Sequence, residues 1–252
     1  MSTVALTWQD VCQGQLMLIN AENPIKRATA VNELAPVTSS YAAILFNKKA
    51  ASQLELLVSQ VNGQEQIVPT SGYRSIEEQR TIYQNSLVKH GREFTNLYVA
   101  KPGCSEHQTG LAIDLAEANE QIDFIRPAFP DEGVFRQFKQ LASQYGFIER
   151  YPVWGTNRTH IGHEPWHFRY VGHPHAELIK LKQFTLEDYI DFLEQFEGLG
   201  KSLEIEVNGQ CFTIVRISID VKQTTTFEIP ERMQYMISGN NRDSVIVTLW
   251  EE

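Results

Sequence analysis

The segment Gly110–Leu115, GLAIDL, constrains this chain more than any other stretch. Leu111, Ile113 and Leu115 alternate with Gly110, Ala112 and Asp114. Alternation with a period of two predicts a strand with one face in a core. The other face carries two small residues and a carboxylate. An ionised Asp inside an otherwise apolar strand is costly without a partner, and a divalent cation is one good partner. Gly110 and Ala112 leave room beside it for an ion and a substrate. The segment therefore asks for a sheet, a core behind it and a polar site in front.

The flanking sequence supplies those layers. Residues 47–61 carry Ala51, Leu54, Leu57, Val58 and Val61 at helical spacing. QEQIVPTSGYRS reads as a short strand ending in a turn. Ser75 followed by Glu78 forms a capping-box pattern that starts a helix running from Ile76 to about His90. Residues 91–106, with Gly91, Pro102 and Gly103, read as a long loop. Residues 132–146 predict a helix ending at Gly146, and Thr185 caps another reaching Phe196. PWHFRYV at 165–171 alternates as a strand that opens on Pro165, a tolerated position. Residues 1–40 read as an irregular arm with one helix near Trp8–Leu18.

Beyond Gly200 the texture changes: Asn208-Gly209 sits between alternating runs, a hairpin signal, and SVIVTLW is a further strand. The expected fold class is α+β, a small antiparallel sheet with flanking helices and a small β-rich C-terminal appendage. The expected division is a catalytic domain with its N-terminal arm at 1–198 and the extension at 199–252. For the extension, packing on the catalytic domain and self-association as a homo-oligomer both stay open.

The chain has 252 residues and a net charge of −9, from 22 Lys and Arg against 31 Asp and Glu. That balance argues against gripping nucleic-acid phosphates or an anionic membrane surface. No apolar run approaches a membrane span. The first twenty residues lack the basic and unbroken apolar regions of a secretory signal. Cys12, Cys104 and Cys211 are few, odd in number and far apart, as in a reducing compartment. The expected location is the cytoplasm.

The chemistry concentrates in two segments, SEHQTGLAID at 105–114 and EPWH at 164–167. His107 offers an imidazole and Asp114 a carboxylate, both good zinc ligands. On its strand His167 points away from Trp166 and Phe168, so it can be a third ligand while its neighbours fill the core. Glu164 precedes the proline bend, where it can stand beside a metal without binding it. Three protein ligands, an open position and a free carboxylate are the parts of a site that hydrolyses with a metal-activated water. Taken singly, each residue has an ordinary explanation: a histidine in a core, an aspartate capping a turn, an ExxH pair by chance. The signal lies in the two segments together.

The first segment fits SxHxxGxAxD, and the second fits ExWH. Together they resemble the zinc D,D-peptidases of the D-Ala-D-Ala carboxypeptidase type, whose fold is shared with hedgehog-like domains. SGYRS at 71–75, followed by Gln79, is similar to that family's upstream arginine segment. The wording PGCSEH and EPWHFRYVG resembles, more nearly still, the bifunctional D,D-dipeptidase/D,D-carboxypeptidases of vancomycin resistance. The resemblance covers roughly residues 15–195. It implies one catalytic zinc ion on His107, Asp114 and His167, Glu164 as general base, and Arg74 steadying the carbonyl oxygen. It further implies Ser105 near the terminal carboxylate of the substrate, with Gln79 also binding substrate. The implied substrates are D-Ala-D-Ala and UDP-linked muramyl pentapeptide. His163 flanks the base, as either a tuning group or a plain loop histidine. The loop 150–163 is the expected lip that divides dipeptide from pentapeptide.

Two other readings compete. A wall-cleaving endolysin-type or L,D-specific relative would call for export or a wall-binding module, and the acidic extension suits neither. A non-catalytic zinc-binding module would need neither Glu164 nor Arg74.

Overall fold

The computed structural model describes residues 2–119 and 121–251. The chain divides into two compact units. One is Ile19–Thr185; the other joins the stretch up to Leu18 to everything from Leu186 onward. This division differs from a boundary at 198/199 in that the helix Leu186–Leu193 falls in the second unit, as does Ser2–Leu6, which is a strand. It pairs antiparallel with Thr225–Ile229, a partner more than two hundred residues away that no local pattern announces. The helix expected near Trp8–Leu18 is a single turn, Trp8–Val11, closed off before Gly14 at φ 103°.

The Ile19–Thr185 unit is built on a four-stranded antiparallel sheet. Its spatial order is Ile67–Ser71, Ala112–Glu117, Glu164–Tyr170, Phe147–Tyr151. In the two central strands Ile113 lies opposite Phe168, and Asp114 lies opposite His167. Phe168 enters an aromatic core, its ring centroid 4.9 Å from Phe138 and 5.2 Å from Phe129. Strand alternation therefore turns Asp114 and His167 to the opposite, polar face.

The helix Lys48–Gln60 starts where expected. The Asn47 side chain accepts the N–H groups of Lys49 and Ala50, and Ala50, Ala51, Leu54 and Leu57 are buried. The capping box is present: Ser75 Oγ accepts from Glu78 N–H at 3.2 Å, and the Glu78 carboxylate accepts from Ser75 N–H at 2.7 Å. That helix does not stop at His90. It bends at Gly91, whose φ of 80° is open to a residue without Cβ, and then resumes to Tyr98. The expected loop is thereby shortened, and a 3-10 turn, Glu106–Thr109, begins at its last residue. The helix Gly133–Leu141 runs through a 3-10 turn to Gly146, left-handed at φ 82°. Residues 147–151, left outside any element by the sequence reading, form the outer strand of the sheet.

In the other unit, strands Leu203–Val207, Gln210–Ser218, Met233–Gly239 and Ser244–Glu251 form a second antiparallel sheet. Asn208 (φ 52°) and Gly209 (φ 79°) make its tight hairpin. Leu6 and Val11 pack with Val215, Phe227, Ile229 and Val247 in one hydrophobic cluster. The helix predicted from Thr185 spans Leu186–Leu193.

Candidate active site

Asp114 is the centre from which the site is built. Its strand lies between Ser71 on one neighbour and His167 on the other. His107 arrives from the 3-10 turn, which ends on Gly110 in the left-handed conformation at φ 69°. Gly110 therefore belongs to the turn and not to the strand. A side chain there would strike Leu34, so the glycine serves close packing and does not make room for a substrate. The space beside Ala112 is likewise taken, since Arg169 lies directly opposite it.

His107, Asp114 and His167 are all buried, and their nearest donor atoms lie within 4.8 Å of one another. His107 Nε2 is 3.2 Å from Asp114 Oδ2, and His167 Nδ1 is 2.9 Å from Oδ1. Donors around a tetrahedral zinc stand about 3.4 Å apart, given bond lengths of about 2.1 Å. The set fits such an ion in both chemistry and spacing. Behind His107, Nδ1 lies 2.7 Å from the Gly72 carbonyl oxygen, which leaves Nε2 for the site.

Glu164 opens the next strand, with Oε2 3.8 Å from His167 Nδ1. Burial pushes its carboxyl up to about 8, and the charges of Asp114 and Glu106 act in the same direction. The two histidines respond in opposite ways. His107 falls to about 4 through burial and the nearby Arg74 charge, against the pull of Asp114. Burial works against the His167 cation too, but the hydrogen-bonded Asp114 carboxylate and the nearby Glu106 and Glu164 carboxylates outweigh it and hold the ring at about 9. Asp114 is also held well below the usual carboxylate range; burial opposes this, and the two imidazoles prevail.

Arg74 reaches the site with each part of its guanidinium engaged. Nε donates to Ser71 Oγ at 2.7 Å, one NH2 group to Gln79 Oε1 at 3.2 Å, and the other to Asp114 Oδ2 at 2.7 Å. Gln79 is 1% exposed and also donates through Nε2 to the Ala100 carbonyl at 2.8 Å. Its side chain thus holds Arg74, and it also lines the cleft. Ser105 is buried at the head of the 3-10 turn and lines the cleft. The cleft encloses about 200 Å³, below the range typical of drug-sized ligands, and suits a short peptide end. His163 pairs with Glu149 at 3.1 Å and does not line the cleft; from the 150–163 segment, Tyr151 and Ile161 do.

The sequence reading missed Glu106, Arg150 and Arg169. Arg150 Nε donates to Glu106 Oε1 at 2.8 Å, and Arg169 lies 2.7 Å from the same oxygen. Arg169 carried a usable signal: it shares strand parity with His167 in a run otherwise aromatic. Arg150 carried none, because residues 150–163 read as loop.

A buried His, Asp, His donor set, a carboxylate beside it and an arginine at the mouth of a small cleft form the arrangement of a metal-assisted hydrolase. Comparison with known proteins agrees. The family model for VanY, D-alanyl-D-alanine carboxypeptidase, matches residues 43–173. The chain is 41% identical over 181 residues to the bifunctional D-Ala-D-Ala dipeptidase and D-Ala-D-Ala carboxypeptidase VanXYC of Enterococcus gallinarum; the match covers 71% of this chain and 95% of that protein. The crystal structure of the vancomycin resistance D,D-dipeptidase VanXYg, bound to a D-Ala-D-Ala phosphinate analogue, superposes with a TM-score of 0.95. It is 40% identical, and 99% of each chain is covered. A mutant of the D,D-pentapeptidase VanY from the VanB-type resistance cassette, in complex with Zn(II), gives a TM-score of 0.60 at 29% identity, over 70% of this chain and 98% of that one. The chain belongs to the VanY D-alanyl-D-alanine carboxypeptidase family, and it is a peptidase.

Proposed function

We propose that this chain hydrolyses D-Ala-D-Ala and also removes the terminal D-Ala from UDP-linked muramyl pentapeptide, using one zinc ion held by His107, Asp114 and His167. The observation that carries this reading is the convergence of those three side chains beside Glu164. The relatives' activities support the substrate class, and the zinc complex of the VanY relative supports the metal.

Bound there, zinc supplies Lewis acidity and brings the pKa of water toward neutrality. Glu164 takes the proton of the attacking water on its carboxylate and passes it to the departing D-Ala amine. A nearby cation favours the ionised form of that carboxyl, opposing the burial that raises it. Arg74 receives the carbonyl oxygen as it gains charge. Ser71 and Gln79 fix two parts of its fork, so the NH2 group now on Asp114 is the one that turns to substrate. Ser105 binds the terminal carboxylate. The compartment that goes with this proposal is the cytoplasm, where UDP-linked precursors are made. No helix among the described residues is long and apolar enough to cross a membrane.

The test is D-alanine release by zinc-loaded protein from the dipeptide and from the UDP-linked pentapeptide, with Glu164→Gln as control. Release from both, lost in the control, is expected. Zinc-loaded protein that releases D-alanine from neither would overturn the proposal.

A further inference from the structure

Glu106 lies in the chain between a proposed substrate-binding serine and a proposed metal ligand, and its carboxylate meets three other side chains, Arg150, Arg169 and His167. It is 2% exposed. Oε1 takes a hydrogen bond from Arg150 Nε at 2.8 Å and faces the Arg169 guanidinium at 2.7 Å; all three side chains are 0% exposed. Oε2 faces His167 Nε2 at 3.6 Å, and neither of these two atoms has a hydrogen-bond partner among the described residues.

Burying three charges is costly, and apolar residues of similar volume would serve stability as well or better. A cluster of this kind calls for a role other than holding the sheet together. Its position supplies one. An imidazole has two nitrogens, and the hydrogen bond made by one decides what the other presents. His107 is held from behind through Nδ1 and offers Nε2. His167 offers Nδ1 to Asp114, so it must be held through Nε2, and Glu106 is the acceptor facing that atom.

We propose that Glu106 is the positioning residue of the metal site: clamped by Arg150 and Arg169, it accepts the Nε2–H of His167 and thereby turns Nδ1 toward Asp114. The two arginines fix the carboxylate so that it cannot rotate into the site and become a ligand itself. The inference rests on the metal reading made above.

Two measurements test it without reference to turnover. In zinc-loaded wild-type protein labelled with 15N-histidine, NMR should show His167 protonated at Nε2 and His107 protonated at Nδ1. A His167 proton on Nδ1, or none on Nε2, overturns the proposal, and this readout needs no variant to fold. In a chelator competition, Glu106→Ala should bind zinc about 10- to 100-fold more weakly than wild type. Glu106→Gln keeps a neutral acceptor and should fall between the two. Wild-type zinc affinity in a folded Glu106→Ala protein would sink the role of Glu106 while leaving the metal reading intact. Wild-type protein that binds no zinc would sink both.

Discussion

Zinc affinity should climb steeply with pH across the neutral range, and the structure says by how much. Without metal, His167 is held at about 9 and Glu164 at about 8, so both carry protons at pH 7. His107, lowered to about 4, is already neutral there, and Asp114 is already ionised. A ligating nitrogen must be free of its proton, so binding displaces the one on His167 Nδ1. The two pH units between 7 and 9 cost about a hundredfold in apparent affinity, roughly 2.7 kcal/mol at 1.36 kcal/mol per unit. The arriving cation also favours ionised Glu164, which releases up to a second proton. Between pH 6 and 8 the apparent association constant should therefore rise about 10- to 100-fold per pH unit. In Glu164→Gln the rise should fall to about tenfold per unit, since only His167 still titrates. The assay is competition with a chelating dye, corrected for the dye's own protonation. Calorimetry in two buffers of different ionisation enthalpy counts the protons released. An affinity flat between pH 6 and 8 would refute the electrostatic account of the site.

Three further outcomes follow from the same geometry. Glu164→Gln should keep zinc, as measured by metal content after dialysis, while its kcat drops on the order of 10²- to 10⁴-fold; turnover near the wild-type rate would remove Glu164 as the base. Arg74→Lys replaces a three-point fork with a point charge that cannot hold Ser71, Gln79 and Asp114 together, and should cost about a hundredfold in kcat with the metal retained; unchanged steady-state kinetics would count against its role. The metal-free protein should lose stability as pH rises. His167 is raised in the fold, so its contribution is full below about 6.5 and lost through 9, and Glu164 folds more readily protonated, with its contribution lost up to 8. Melting temperature should fall from pH 6 to 9, more shallowly in Glu164→Gln, and a rise over that range would contradict the assignment.

What was legible in the sequence was local or periodic. The Lys48–Gln60 helix, the Ser75 capping box and the Asn208-Gly209 hairpin each announce themselves within a few residues. Alternation around Asp114 and His167 gave the right faces to the right strands, because a period of two leaves no freedom once the core side is known. Cross-strand register was not legible. It decides that Ala112 faces Arg169, so the room credited to a small residue belongs to an arginine. The kink at Gly91 was read as an end, since a glycine stops a helix and bends one with the same signature. The Glu106–Arg150–Arg169 cluster stayed hidden because charged residues read as surface unless the fold brings their partners together. Gln79 lines the cleft, and its amide also holds the arginine, a contact that no local pattern announces.

The pairing of Ser2–Leu6 with Thr225–Ile229 sets a clock on the ribosome. The first strand leaves the exit tunnel long before its partner is made. At about 5–20 residues per second, the interval is roughly ten to forty seconds. During that time Ile19–Thr185 emerges whole and can fold, while the opening strand waits with an unpaired edge. A chain released before Thr225 should leave Ser2–Leu6 open to proteolysis, with the Ile19–Thr185 unit already protected. Equal protection of that strand in the short and full chains would show that it finds shelter elsewhere. The order of synthesis thus builds the unit bearing the chemistry first, and leaves an edge strand exposed for as long as the more than two hundred residues before its partner take to arrive.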